Sequence, residues 1–261
     1  MSEEKNMPFL QHLEELRWRL VRAAIAVLIC SIVLFWQQTW IMDNVFLVML
    51  DNNFISFRLM CEWFGVCTES APVIIQSMNV SGQFSYAMLT SILGGVVIAS
   101  PFIFYQLWMF IKPGLKDKER KASSGLIFYI SLLFILGILF GYFVITPLAI
   151  QFFGSYQISS DIQNNFTIDS YMGMILSTTF YTGLFFLLPV VSYLLTSLGV
   201  ITSDFLRKYR KHAIIVVLIL SAVITPPDVV SQIIVAIPIT ILYEIGIFAS
   251  KRVERRKNKT L

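Results

Sequence analysis

Six long apolar stretches, each ending in polar, charged or aromatic positions, constrain this 261-residue chain more than any other feature of it. A helix needs roughly 20 consecutive apolar residues to cross a hydrocarbon core. The blocks run from about Leu20 to Gln37, Gln83 to Ile111, Ser124 to Thr146, Asp169 to Leu198, His212 to Ile224 and Pro227 to Ser250. The second has 29 residues, or roughly 43 Å of helix, so it must tilt or project from the bilayer. Pro101 is expected to kink it, and Pro147 and Pro189 to punctuate the third and fourth. The fifth has only 13 residues and must borrow from its flanks or sit where the bilayer thins. Composition agrees: 14% of residues are charged and mean hydropathy is +0.73, whereas soluble domains carry about a quarter charged residues. The expected fold class is all-α, a polytopic integral membrane protein with six transmembrane helices. It reads as a single membrane domain: residues 1–19 form an amphipathic leading helix, 20–250 the spans and 251–261 a basic tail.

Orientation follows from Lys and Arg. Nineteen of the twenty lie before or at the very start of the first block, between the second and third, between the fourth and fifth, or after the sixth; only Arg58 lies opposite. The positive-inside rule therefore places both termini in the cytoplasm. The same distribution accounts for the net charge of +4 without nucleic acid as a partner. No small-residue cleavage site follows the first block, so that helix is expected to stay in the mature chain.

Chemistry is sparse. The two histidines, His12 and His212, lie at cytoplasmic helix ends and belong to no HExxH or comparable motif. Gly94-Gly95 sits inside a lipid-depth helix and suits close packing better than phosphate binding. No catalytic residue, metal site or cofactor is expected. Ionisable groups at membrane depth, which tend to mark transport pathways, are nearly absent; Glu244 lies close to the basic end of its block. Ser91, Ser100, Gln106, Ser177, Thr178 and Thr179 either line a cavity or bond between helices. Cys30 is in the first block. Cys61 and Cys67 share the long extracytoplasmic loop, where they form a disulfide or remain two thiols in an apolar segment.

Unusual residues collect on the cytoplasmic face. Phe9, Leu13, Leu16 and Leu20 recur at helical spacing after Pro8. Glu14, Glu15, Asp117 and Glu119 interrupt an otherwise basic surface. Two readings stay open: internal pairing, Glu15 with Arg19 and Glu119 with a neighbouring lysine, or an acidic recess for a cationic ligand.

Several separated motifs then resemble one family, TatC, the core receptor subunit of the twin-arginine protein translocase. His12-Leu13-Glu14-Glu15-Leu16-Arg17-Trp18-Arg19-Leu20 resembles its HLxELRxRL helix. Ser100-Pro101 through Tyr105-Gln106-Leu107-Trp108, Pro113-Gly114-Leu115 with Glu119-Arg120, and Gly141-Tyr142-Phe143 with Pro147-Leu148 are similar to later segments. So are Thr225-Pro226-Pro227-Asp228 with Ser231-Gln232, Ala236-Ile237-Pro238 and Tyr243-Glu244-Ile245-Gly246. The resemblance implies a cup-like six-helix bundle in a bacterial inner membrane. It also implies a role as receptor and scaffold for export of folded proteins bearing paired-arginine signal peptides, driven by the proton-motive force. The implied partners are those peptides, single-helix subunits of the TatA and TatB type, and further copies of the chain. By position, Glu15 and Glu119 match the carboxylates that engage the arginines. Arg17 is implied to orient that site, and Gln106 to add a neutral hydrogen bond. In one place the chain departs from the family: Leu187 stands where a polar residue commonly precedes the fourth-helix proline. The competing reading is a small-molecule or ion secondary transporter.

Overall fold

A computed structural model describes residues 9–51, 54–64, 74–112, 125–159, 164–224 and 229–258. Helix α1 spans Phe9–Trp36, α2 Ile55–Phe64 and α3 Gly82–Ile111. The third span comprises α4 (Leu126–Phe140), a π-helical turn (Gly141–Ile145) and α5 (Thr146–Ser155). The fourth comprises α6 (Ile168–Phe185) and α7 (Leu188–Ser197), and is followed by α8 (Ser203–Lys208), α9 (Arg210–Ile224) and α10 (Val229–Asn258). Two short strands, β1 (Ile74–Gln76) and β2 (Asn165–Thr167), pair in parallel, with Ile74 opposite Asn165. Among the described residues, four helical stretches are long and apolar enough to cross a membrane: Leu13–Trp36, Gly82–Ile111, Ile127–Ser155 and Ile168–Ser197. The fifth apolar block borrows from its polar flank: α9 starts at Arg210 and has 15 residues, roughly 22 Å.

Two boundaries differ from the sequence reading. Phe9 through Trp36 is one uninterrupted helix, so the leading amphipathic turns and the first span share an axis. The third span does not end at Thr146 but continues to Ser155. Proline removes the N–H that would bond the carbonyl four residues back. At Pro101 that carbonyl belongs to Val97, and the buried Ser100 hydroxyl donates to it at 2.7 Å. At Pro147 the helix loosens into the π turn, and the Thr146 hydroxyl donates to Gly141 O at 2.8 Å. At Pro101 a neighbouring hydroxyl thus partners the carbonyl that lost its N–H, where water is absent, whereas at Pro147 the Thr146 hydroxyl adds a second bond to a carbonyl that also accepts from the Thr146 N–H. At Pro189 the helix does break, between Phe185 and Leu188. The Thr225-Pro226-Pro227-Asp228 turn lies outside the described residues.

Glycine sets the helix crossings. A Cβ on Gly95 would lie 2.9 Å from Val27 O and 3.0 Å from Ser31 N, so α1 and α3 meet backbone to backbone there. Gly137 and Gly141, one turn apart, meet Gly183 and Thr179 of α6 at 2.8 Å. Such small-residue spacing lets helices approach where the hydrophobic effect offers no attraction between them. At the far end, residues 38–50 and α2 fold over α5 and α6 as a cap. The Tyr142 and Tyr171 hydroxyls donate to Val45 O and Phe46 O, each at 2.6 Å, and Phe54 stacks on Phe143 at 5.9 Å.

Towards the end of the bundle that carries the basic segments, polar contacts tie α10 to its neighbours. Arg210 grips Glu244 with two parallel bonds of 2.6 and 2.7 Å. The Ser203 amide donates to Glu254 at 2.7 Å and Tyr243 donates to Leu206 O at 2.9 Å. Thr196 donates to the Ser250 hydroxyl at 2.9 Å, all buried.

Three substitutions test this packing by the thermal unfolding midpoint in detergent. Gly95→Val is expected to destabilise by about 1–3 kcal/mol through overpacking against α1, whereas Gly125→Ala, which meets only the Tyr129 ring edge at 3.6 Å, is expected to be neutral. Ser100→Ala removes the donor to Val97 O and is expected to cost about 1–3 kcal/mol; an unchanged midpoint would show that this hydroxyl is dispensable.

Candidate functional site

The first turns of α1 lie against the last turns of α3, and the sequence-predicted residues divide there. Glu15 and Arg19 stand one turn apart on the same face of α1. Arg19 Nε donates to Glu15 Oε1 at 3.0 Å, and a second guanidinium N–H donates to the same oxygen. Both side chains are largely covered, at 15% and 27% exposure. Another guanidinium nitrogen of Arg19 stands 3.5 Å from Gln106 Oε1 on α3, and Gln106 is buried. A crevice of about 30 Å³ between Leu16, Leu20, Ala23, Ile103 and Leu107 adjoins them. The pocket wall is therefore apolar, with one carboxylate, one guanidinium and one amide at its mouth.

Arg17 points elsewhere. Its guanidinium lies 3.6 Å from Glu14 and 5.6 Å from the centroid of the Trp18 ring, and both members of the ion pair are mostly exposed. Glu119 lies outside the described residues, on the segment after α3. Cys61 is disulfide-bonded and Cys30 is free; Cys67 lies outside the described residues.

The second feature is a hollow of about 460 Å³ on the inner face of the bundle, beneath the cap. Its walls are almost wholly apolar, from residues such as Leu34, Phe46, Gly94, Val97 and Phe143. Two hydroxyls interrupt them, Thr90 and Thr179, and neither Oγ1 has a hydrogen-bond partner among the described residues. An unmade hydrogen bond of this kind costs about 1–3 kcal/mol. The other small polar groups behave as helix-internal donors: Ser91 bonds to Ala87 O at 2.8 Å and Ser177 to Met174 O at 3.2 Å.

Sequence reasoning had Glu15, Arg19 and Gln106 but not their meeting, because 87 residues separate Arg19 from Gln106. It missed Thr90 altogether. A threonine in an apolar block carries no mark of whether its hydroxyl turns back to its own helix or inward. Arg210 as the partner of Glu244 was missed for the same reason of distance along the chain.

Among the described residues, no Asp, Glu, Lys, Arg or His side chain is buried. Comparison with known proteins agrees with this architecture. The profile of the family described as Sec-independent protein translocase protein (TatC) matches residues 11–238. The chain is similar to the TatC of Blattabacterium sp. subsp. Periplaneta americana, 39% identical over 98% of this chain and 100% of that one. It is also similar to the TatC of Carboxydothermus hydrogenoformans, 35% identical over 98% of this chain and 97% of the relative. A crystal structure of the twin arginine translocase receptor TatC superposes with a TM-score of 0.70 at 32% identity, covering 93% of this chain and 99% of the other. The chain is thus a multi-pass membrane protein of the TatC family, a component of the Sec-independent protein translocase.

Proposed function

We propose that this translocase component is the receptor for paired-arginine signal peptides and the scaffold on which the rest of the machine assembles. In this reading the peptide arrives from the cytoplasm, and both termini of the chain face it, in a bacterial inner membrane. The observation that carries the proposal is the Glu15 carboxylate at the α1–α3 junction, already holding a guanidinium in place. Arginine binds carboxylate through parallel, charge-assisted hydrogen bonds, and Arg19 makes the contact a peptide arginine would make. An incoming arginine then competes with Arg19, while the Gln106 carbonyl oxygen stands ready to accept from whichever guanidinium is displaced. Glu119, on the next segment of that face, is the second carboxylate of the pair in this proposal. Arg17, bonded to Glu14, acts by fixing the outer face of α1.

The apolar stretch that follows the arginines lies along the concave face, towards the hollow. Its backbone or small polar side chains supply partners to Thr90 and Thr179. TatA- and TatB-type single-helix subunits and further copies of the chain complete the passage, driven by the proton-motive force. A secondary transporter needs ionisable groups inside the bundle, and the polar residues buried here are neutral. With Leu187 at the break in the fourth span, no carboxylate contact from that position enters the proposal. We pair Cys61 with Cys67 across the cap.

Binding of a labelled twin-arginine signal peptide to the protein in nanodiscs tests the receptor site. A twin-lysine peptide, lacking the planar fork, is expected to bind more weakly. Glu15→Ala and Glu119→Ala are each expected to weaken twin-arginine binding by roughly tenfold or more, the value of a charged hydrogen bond. Equal binding of both peptides to all variants would mean apolar adsorption alone and would favour the transporter. For the disulfide, thiol labelling under denaturing conditions without reductant is expected to mark Cys30 only; labelling of all three cysteines would exclude the bridge.

A further inference from the structure

The geometry points to α2 as an interfacial helix that rests on the bilayer at the capped end, with Arg58 bound to the phosphodiester of a phospholipid. This goes beyond the receptor reading and does not depend on it. The depth of α2 follows from what it packs against. The third span, Ile127–Ser155, has 29 residues, roughly 43 Å of helix. A hydrocarbon core of about 30 Å leaves roughly 7 Å of a centred helix beyond each boundary. Phe54, directly before α2, lies against Tyr142 and Phe143 at 6.1 and 5.9 Å. With Phe57 of α2 it joins the core of Ile150, Ile168 and Met172. Positions 142–150 lie roughly 8–20 Å below the end of that span at Ser155. With the boundary roughly 7 Å below Ser155, these positions run from that boundary, at Ile150, to roughly 13 Å inside it, at Tyr142, so α2 packs from the headgroup boundary inward along the outer hydrocarbon.

The side of α2 turned away from this core has the composition such a level requires. Phe57 and Ser56 face inward, at 7% and 6% exposure, whereas Ile55 and Leu59 are 55% and 47% exposed. Arg58 stands between them on the same exposed face, and α2 is amphipathic overall. Phe143, on which Phe54 stacks, is itself 37% exposed in the third span. Arg58 is the one Lys or Arg between positions 37 and 81, a segment with carboxylates at Asp43, Asp51, Glu62 and Glu69. Yet Arg58 makes no ion pair among the described residues, Glu62 one turn away included. A cation flanked by exposed isoleucine and leucine, and left unpaired on an acidic face, fits a lipid phosphate: the aliphatic stem lies along acyl chains and the guanidinium reaches the headgroup.

Photo-crosslinking with p-benzoylphenylalanine at position 55 or 59, in vesicles of phosphatidylglycerol and phosphatidylethanolamine, tests this by mass spectrometry. Phospholipid adducts are expected at both positions, as at the lipid-facing control Ile29, and not at the exposed loop control Val80. Absence of lipid adducts at 55 and 59 while Ile29 still reacts would overturn the proposal, as would adducts to a protein instead. Arg58→Gln is expected to lower the adduct yield at position 59 by about fivefold, the value of one basic side chain near an anionic surface. Arg58→Lys is expected to retain most of it. A yield indifferent to both substitutions would overturn the phosphate contact.

Discussion

A carbonyl left without a donor inside a bilayer has no water to turn to, and the helices of this protein depend on avoiding that state. Pro101 and Pro147 each remove an N–H from a lipid-depth helix, yet the chain runs helically through both. The residue before each proline is a hydroxyl amino acid that reaches back along its own helix, Ser100 to Val97 O and Thr146 to Gly141 O. Both helices remain long, the second with its Val97 carbonyl repaired and the third through its π turn. The third span reaches Ser155 and presents Tyr142 and Ile150 to the cap, and the second carries Gln106 past Pro101 to the α1 junction.

Once the backbone is satisfied, association rests on contact alone, since lipid is as apolar as the side chains it would replace. That is why glycine marks the crossings, Gly95 against α1 and Gly137 with Gly141 against α6. Close crossings at some levels leave space at others. The hollow under the cap lies between those crossings, and its two unpartnered hydroxyls are the cost of keeping it open. The cap is fastened by phenol hydroxyls to backbone carbonyls, bonds that are worth more where water is scarce.

The same economy governs charge. Two carboxylates near the membrane carry an arginine with them: Glu15 has Arg19 and Glu244 has Arg210. At the α1–α3 junction this makes internal pairing and ligand recognition compatible readings of one residue. A carboxylate that holds its own guanidinium is already desolvated and oriented for another. In the proposed receptor the two states differ by an exchange of arginines at Glu15, with the displaced Arg19 left to Gln106.

Apolar block length and the placement of Lys and Arg determined the fold class, because both report on the solvent around a helix and solvent is legible residue by residue. The prolines, read alone, misplaced the end of the third span: the helix passes Pro147 by loosening into a π turn, an adjustment that no local residue pattern announces. Glu15 with Arg19 was readable, since one turn of helix sets that distance. Gln106 beside Arg19, Arg210 beside Glu244, and Thr90 with Thr179 on one hollow were decided only by tertiary structure. Each of those meetings joins residues far apart in the chain, and the crossing of two helices, not any local pattern, sets which faces come together.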